Sequence, residues 1–448
     1  MPPARPAVLR LAGPLIISFW LRQAFSWVDM AYATALEGAE DASIAAIGLA
    51  GPFEFMLIAC WVGMSNGLTS RLSAAMGSKR GEEIEQLKRA THLVALGLMV
   101  AFLAVAAGIW FLTPLLDLDA TVSHQFRVYG SVLIGGMGLT AFWSILPDSL
   151  VKAHHDTRST MWAGLYSSFA NVALNSLFVF VFHWGIFGIA FSTALSRLAG
   201  LFYAQARAAR HERARVEAWT DPVPGRLARP IGSIMTIAIP AAITFLLIAA
   251  EGFAINGILV SSGNQEANLA AWSIFDRAVR FMTMPPIAIG VAMLPLAAKL
   301  YGTGDFAAIR REVRVALIAS LAYSLLIVVP TSLWAWGWVT EALAESKAAQ
   351  LAADAGRLYI PVAVLLSSPL FILRSTFEGL QRPRPGLVTA FIRTALVIAL
   401  IAAGIALLKA DGGDPIHGVY AGFVAGLGIS SAILYVWIDR ALKHCASA

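Results

Sequence analysis

Residues 207–230, RAARHERARVEAWTDPVPGRLARP, form the longest polar run in a chain that is otherwise strongly apolar. The run contains six arginines and three prolines, and a half of similar length lies on either side of it. Hydrophobic residues make up 58% of the 448 residues. Charged residues make up 13%, against about 25% in a soluble protein. We therefore expect the chain to contact lipid over most of its length.

The two halves resemble each other in order. Pro14 in LAGPLIISFWL matches Pro240 in TIAIPAAITFLL, and ASIAAIGLA from position 42 matches ANLAAWSIF from position 267. Gly77 and Gly302 lie at matching polar turns. The spacing between matched positions is nearly constant throughout. This pattern predicts an internal duplication whose two copies are joined by a solvated linker.

Twelve segments are long and apolar enough to cross a bilayer as helices, six in each half. They cover residues 9–35, 44–75, 91–115, 126–151, 160–182, 185–207, 231–260, 267–299, 314–338, 357–380, 386–408 and 416–438. The sequence therefore predicts an all-α integral membrane protein with twelve transmembrane helices in two six-helix lobes. We assign 1–209 to the N-terminal lobe, 210–230 to a cytoplasmic linker and 231–448 to the C-terminal lobe.

The loops between these segments alternate in charge. Loops after the even-numbered segments are basic, whereas the others carry acids such as Glu37, Asp117 and Asp411. Because basic loops stay on the cytoplasmic side, we expect both termini in the cytoplasm of a multi-pass protein of the cell inner membrane. Both halves then insert in the same orientation.

Several functional classes are disfavoured. The net charge of +6 comes from basic residues at segment ends rather than on one face, so we expect no nucleic-acid partner. The chain has no GxxxxGK[ST] run for binding ATP phosphates. The neighbouring residues His154, His155 and Asp156 are a weak metal candidate. We therefore expect no enzyme activity, no cofactor and no metal site.

Charged residues inside apolar segments are costly in lipid and usually face a cavity or a partner. The ones that we consider as candidates are Arg22, Asp29, Glu54, Glu251, Asp276, Arg277 and Arg280. Asp276 and Arg280 are four residues apart and can pair, so a structural ion pair is the alternative role for them, as it is for Glu54. Asp29 and Glu251 have no basic residue three or four positions away. We interpret these two as candidates for ion coupling or substrate binding.

Polar side chains also occur in the fifth and sixth segments. Asn171 and Asn175 are four residues apart and so share one helix face, and Thr193 follows on the next segment. Oxygen ligands of this kind suit a hard cation or a proton-linked network, and interhelical hydrogen bonding is the alternative. Pro14 removes a backbone hydrogen bond from the first helix, where we expect a bend.

With these features in place, the chain resembles a multidrug and toxic compound extrusion (MATE) transporter of the multidrug/oligosaccharidyl-lipid/polysaccharide flippase superfamily. The resemblance rests on the two six-helix lobes, Pro14 followed by Asp29, the GLAGPFEF region at 48–55, the turn after Gly77 and the Asn171-x-x-x-Asn175 pattern.

The resemblance implies site residues. Asp29, Asn171, Asn175 and Thr193 match the ion site of the N-terminal lobe, and Glu251 matches a seventh-helix acid of NorM-type members. Two positions depart from the family pattern. Many relatives have Asp in place of Asn175, and NorM-type members carry a tenth-helix acid near the position of Ser367 or Ser368.

We therefore expect a secondary active efflux transporter that exports drugs or metabolites by alternating access. Export is coupled by antiport to a proton or sodium gradient. The expected partners are membrane lipid and a small-molecule substrate that is cationic, zwitterionic or anionic, handled by a monomer. The rival hypothesis is a flippase or exporter for a lipid-linked saccharide or an anionic metabolite. The cavity charges Arg22, Arg277 and Arg280 favour the rival, whereas the pattern of Asp29 and Asn171 disfavours it.

Overall fold

The computed structural model describes residues 7–25, 28–36, 40–116, 118–219, 223–260, 265–344, 346–410 and 414–447. These residues are helical almost throughout, and no strand occurs among them. Glu37, Asp117 and Asp411, which were used to predict the outer loops, lie outside the described residues.

Eighteen α-helices follow one another in the described ranges. The first eight are α1 (Ala7–Phe25), α2 (Val28–Ala33), α3 (Glu40–Gly77), α4 (Gly81–Leu112), α5 (Ala120–Thr140), α6 (Ile145–Ala153), α7 (Thr157–Ser176) and α8 (Gly185–Ala218). The others are α9 (Pro230–Val260), α10 (Gln265–Met282), α11 (Met284–Thr303), α12 (Phe306–Tyr323), α13 (Val329–Trp334), α14 (Trp336–Leu343), α15 (Lys347–Asp354), α16 (Tyr359–Gly379), α17 (Arg384–Ala410) and α18 (Pro415–Ser447). Two π-helical turns, Leu177–Val181 and Ser324–Val328, extend α7 and α12.

Eleven helical stretches of the described chain are long and apolar enough to cross a membrane. They match every predicted segment except the first. That segment, 9–35, is formed by α1 and α2, between which residues 26–27 are not described. The predicted eighth segment comprises α10 and α11. Of the two, α11 alone is long and apolar enough to be a candidate membrane span, because α10 contains four charged residues. The prediction of an all-α membrane protein is confirmed.

Backbone geometry repeats in the two halves. Lys79 after α3 and Gly304 after α11 both have positive φ angles, 56° and 76°. His155 after α6 and Gln381 after α16 have φ angles of 60° and 61°. At all four turns the next amide donates to a carbonyl five residues earlier, which is the Schellman closure of a helix end. The left-handed conformation is unfavourable for a residue other than glycine, so its recurrence in both halves supports the duplication.

Packing divides the chain slightly differently from the duplication. One unit is Gly13–Ala242, and the other consists of Met1–Ala12 together with Ile243–Ala448. α1 and α9 therefore each contribute to both units, and the chain changes unit beside Pro14 and Pro240. The lobe boundaries 1–209 and 231–448, which were drawn from the duplication, stay a prediction.

Hydrogen bonds fix the ends of these two helices within their units. In the unit that contains the second half, the amide of Val8 at the start of α1 donates to Glu312 Oε2 on α12 at 3.0 Å. In the unit Gly13–Ala242, Arg71 Nε on α3 donates to the Ser233 carbonyl at the start of α9 at 2.9 Å. The helix starts are thus held by side chains from other helices of the same unit.

Candidate functional site

In the unit Gly13–Ala242, α2, α7 and α8 bring four of the predicted site residues together. The Asn175 amide donates to Asp29 Oδ1 at 3.0 Å, and the Thr193 hydroxyl donates to Asp29 Oδ2 at 2.8 Å. The Asn171 amide donates to the Thr193 hydroxyl at 2.9 Å. Together with Ser192, which donates to Asn175 Oδ1 at 2.5 Å, we call these residues the Asp29 cluster.

The geometry of the cluster follows from helix periodicity. Asn171 and Asn175 lie one turn apart on α7, and Asn175 is fully buried. Tyr32 stabilises α2 against α7, because its hydroxyl lies 2.5 Å from Ser176 Oγ and donates to the Val172 carbonyl at 3.3 Å. Both oxygens of the Asp29 carboxylate accept a hydrogen bond. Protonation of Asp29 would turn one acceptor into a donor, so Asn175 or Thr193 would have to change partner.

Other charged residues lie near this cluster. Arg197, one turn after Thr193 on α8, interacts electrostatically with Asp29, Glu54 and Arg22. Glu54 forms no ion pair in the described chain. Arg22 lies in the last turn of α1, and its stem runs close to Gly164 on α7. Arg197 was not among the predicted residues, although an arginine within the predicted segment 185–207 is visible in the sequence.

Two buried ion pairs were also missed. Lys152 and Asp148 on α6 are 2.5 Å apart, and Ser65 donates to the same carboxylate at 3.2 Å. In the second half, Arg374 and Glu378 on α16 are 3.1 Å apart. The two pairs occupy equivalent positions of the duplication and have the opposite order of charge. Their i,i+4 spacing is visible in the sequence, although Lys152 falls just beyond the predicted fourth segment.

The predicted seventh-helix acid has a cationic partner. Arg393 Nη2 on α17 lies 2.5 Å from Glu251 Oε1 on α9, and the two side chains are 14% and 4% exposed. Thr394 and Asp276 also interact with Glu251. The partners are 142 residues apart in sequence, so local spacing gave no indication of this pair. A coupling role for Glu251 stays a prediction.

The remaining predicted residues lie on α10 and α16. Asp276 Oδ2 and Arg280 Nε are 2.7 Å apart, so the pair expected from the i,i+4 spacing is present. Arg277 is exposed on the same helix. Ser367 and Ser368, at the position of the NorM-type acid, are buried and donate to the carbonyl of Val364.

At the equivalent positions of the second half, all within the described residues, apolar side chains replace those of the Asp29 cluster. The spacing that relates the two paired prolines maps Asp29, Asn171 and Asn175 onto Ile255, Val397 and Ile401. Thr193 maps onto Phe423, because the connection before α18 is longer than that before α8. All four counterparts are buried in the hydrophobic core of their unit. The duplication has therefore kept the helices but not the polar side chains.

Two of the three candidate metal ligands, His154 and Asp156, form hydrogen bonds instead. His154 Nε2 lies 3.0 Å from Glu212, and His211 Nε2 lies 2.8 Å from Asp156. Partial burial raises the pKa of Asp156, but hydrogen bonds from Ser159, His211 and Arg207 outweigh it and hold the pKa well below its usual range. Among the described residues, no group of three or more ligand side chains could hold a metal ion.

Comparison with known proteins assigns the family. The family model described as MatE matches residues 14–177 and again residues 240–403, which together exceed half of the chain. The two matches start at Pro14 and Pro240, the prolines that the duplication pairs.

Relatives and solved structures agree with this match. The probable multidrug resistance protein YoeA of Bacillus subtilis is 22% identical over 330 residues, which are 70% of this chain and 69% of YoeA. YpnP of the same organism, also described as a probable multidrug resistance protein, is 24% identical over 301 residues, 65% of this chain and 64% of YpnP.

Solved structures share the fold over nearly the whole length. A transporter from Pyrococcus furiosus that is described as a member of the MOP superfamily has a TM-score of 0.85 and 18% identity, covering 98% of this chain and 96% of its own. A variant of the Vibrio cholerae MATE transporter VcmN has a TM-score of 0.85 and 20% identity, covering 98% and 97%. Because the family model matches both halves in order, this chain belongs to the multidrug and toxic compound extrusion family of membrane transporters.

Proposed function

We propose that the protein is a secondary active exporter of small molecules that couples export to an ion gradient through the Asp29 cluster. The main support is the environment of Asp29. Its carboxylate is held by donors from α7 and α8, and no ion pair to it occurs in the described chain. A carboxylate at membrane depth is costly, and ionisable residues at such positions usually take part in binding or transport.

We propose the proton as the coupling ion. A sodium site requires several free oxygen ligands around one point. In the Asp29 cluster the oxygens of Asp29, the amide oxygen of Asn175 and the hydroxyl of Thr193 already accept hydrogen bonds. A proton needs no such ligand shell. It binds to one carboxylate oxygen, and the resulting O–H group needs one neighbouring atom that accepts its hydrogen bond.

Protonation can act on conformation through α1 and α2. Asp29 lies on the short helix α2, directly after α1, which contains Pro14 and contributes to both packing units. Loss of the carboxylate charge would weaken the hydrogen bonds that attach α2 to α7 and α8. To shift a two-state equilibrium from 1:99 to 99:1, the two protonation states must differ by about 5.5 kcal/mol in conformational preference. We propose that the Asp29 cluster supplies most of this difference.

The proposal includes orientation and location. The alternation of basic and acidic loops supports cytoplasmic termini in the cell inner membrane. Described basic residues such as Lys79, Arg158 and Arg382 follow even-numbered segments, as this orientation requires.

The test is transport by purified protein in proteoliposomes, with ethidium as the cationic probe. We expect ethidium transport with a pH gradient alone and none above protein-free liposomes with a sodium gradient alone. Transport driven fully by sodium would contradict proton coupling. Absence of transport with either gradient, across cationic and anionic dyes, would contradict the exporter function itself.

A second candidate function is a flippase for a lipid-linked saccharide or an exporter of an anionic metabolite. The observation that favours it is the exposed basic face of α10, where Arg277 and Arg280 lie. A lipid flippase would move a fluorescent lipid between leaflets of the same proteoliposomes without either gradient. We rank it second because it leaves the Asp29 cluster without a role.

A further inference from the structure

The helix α10 has two contrasting faces at membrane depth. One face packs into the hydrophobic core of its unit through Ala271, Trp272, Phe275 and Val279. The other face carries Ser273, Asp276, Arg277 and Arg280, none of which is buried. α10 continues after Thr283 into α11, a candidate membrane span, so this polar face lies within the predicted eighth segment. Charged side chains at this depth face water or a ligand rather than hydrocarbon.

Arg280 has an unused hydrogen-bonding edge. Its Nε donates to Asp276 Oδ2 at 2.7 Å, and this is its one hydrogen bond within the described chain. The side chain is 53% exposed. A Cβ atom at Gly252 on α9 would lie 3.9 Å from Arg280 Nη2, so the guanidinium lies alongside α9. The Nη1 and Nη2 groups form the planar fork that binds carboxylate and phosphate groups with two parallel hydrogen bonds.

The local charge also favours an anion. Glu251 neutralises Arg393 in a buried pair next to Gly252, and Asp276 neutralises one of the two α10 arginines. The five charged residues Glu251, Arg393, Asp276, Arg277 and Arg280 together carry a formal net charge of +1. The equivalent face of α3, found by aligning position 42 with position 267, consists of Gly48, Gly51, Pro52 and Phe55 and has no cation. The basic face is thus a feature of the second half alone.

We propose that the α10 face, with Arg280 as its main ligand, binds the oxyanion of an amphipathic substrate, a carboxylate or a phosphate. The inference rests on the proposed export function and adds organic anions and zwitterions to the substrates that the exporter carries. Arg277 adds long-range attraction, and the Ser273 hydroxyl lies one to two turns away on the same face. Asp276 orients the guanidinium of Arg280 through Nε and leaves the fork open.

Binding of 5(6)-carboxyfluorescein to the purified protein, followed by fluorescence polarisation, tests this site without requiring transport. We expect Arg280→Gln to weaken binding at least tenfold. Arg280→Lys keeps the charge but loses the fork, so its affinity should fall between those of Arg280→Gln and the wild type. Arg310→Gln removes an exposed arginine from α12 and serves as the matched control with unchanged affinity. Melting temperatures of all four proteins identify variants that fail to fold.

The outcomes separate this inference from the proposed function. Equal affinities for the wild type and a folded Arg280→Gln variant would overturn the oxyanion site, as would failure of the wild type to bind the dye. Ethidium transport under a pH gradient can persist in either case, so the exporter function is judged by its own assay. Nanodiscs of phosphatidylglycerol or phosphatidylcholine distinguish the source of the oxyanion. Displacement of the dye by phosphatidylglycerol alone assigns the site to a lipid phosphate, and displacement by neither lipid assigns it to a soluble anion.

Discussion

The Asp29 cluster and its counterpart in the second half occupy equivalent helices but have opposite chemistry. In the first half a carboxylate, two amides and two hydroxyls form a connected hydrogen-bond network. In the second half Ile255, Val397, Ile401 and Phe423 fill the equivalent positions and are buried among apolar neighbours. One fold thus accommodates either a polar network or a dry core at this place, and the choice depends on a few side chains.

Helix spacing explains why both solutions are stable. Gly418 and Gly422 on α18 face α17, and a Cβ atom at Gly422 would lie 2.6 Å from the backbone nitrogen of Ile401. α17 and α18 are therefore in backbone contact and leave no room for polar side chains. The residue on α8 equivalent to Gly422 is Ser192, whose hydroxyl reaches Asn175. We infer that α7 and α8 are further apart at Ser192 than α17 and α18 are at Gly422.

The largest expected effect comes from removing the charge of the Asp29 cluster, which we call the polar copy; the equivalent positions Ile255, Val397, Ile401 and Phe423 are the apolar copy. Asp29→Asn mimics the protonated carboxylate and so cannot alternate between two protonation states. We expect pH-driven ethidium transport in proteoliposomes to fall to the level of protein-free liposomes, while the protein stays folded. The matched change Ile255→Asn buries an unpaired amide in the apolar copy and should instead lower stability by about 2–4 kcal/mol.

Transport and melting temperature, measured on both variants, sharpen the comparison between the halves. Wild-type transport by Asp29→Asn would show that the polar network is structural. Loss of coupling by a stably folded Ile255→Asn protein would show that the apolar copy also takes part in coupling.

The next effect concerns the charge pair of the second half. Glu251→Gln leaves Arg393 buried without a counter-charge, so we expect it to lower stability by about 3–5 kcal/mol. The double variant Glu251→Gln/Arg393→Gln removes both charges and should recover most of the loss. Thermal unfolding in detergent measures both. If Glu251→Gln keeps wild-type stability and loses pH-driven transport, Glu251 is a coupling residue rather than half of a structural pair.

The smallest effects test helix spacing. Gly422→Ser introduces the side chain that Ser192 has in the first half. Because Gly422 contacts the backbone of α17, overpacking there should lower stability by about 3 kcal/mol. Ser192→Ala removes one hydrogen bond from Asn175 and should cost about 1 kcal/mol. Thermal unfolding of the two variants compares the copies directly. Equal effects would contradict the difference in spacing that we infer.

Local patterns predicted much of the fold and part of the site. Apolar length predicted eleven spans that the structure contains, and i,i+4 spacing predicted the pair of Asp276 and Arg280. The repeat register predicted two halves, which the double match of the family model supports. These features depend on residues that are near one another in sequence or that recur at a constant spacing, so they can be read without coordinates.

The sequence by itself indicated the helical membrane class, the duplication and four of the five residues of the Asp29 cluster, whereas Ser192 was not among the predicted residues. Tertiary structure alone decided which of these residues meet. The pair of Glu251 and Arg393 spans 142 residues, and Asn175 reaches Asp29 across 146 residues. Such contacts depend on how closely helices from distant parts of the chain approach, as Gly422 allows α18 to approach α17. The physical reason is that a buried charge is stabilised by whatever lies within a few ångströms, irrespective of its position in the sequence.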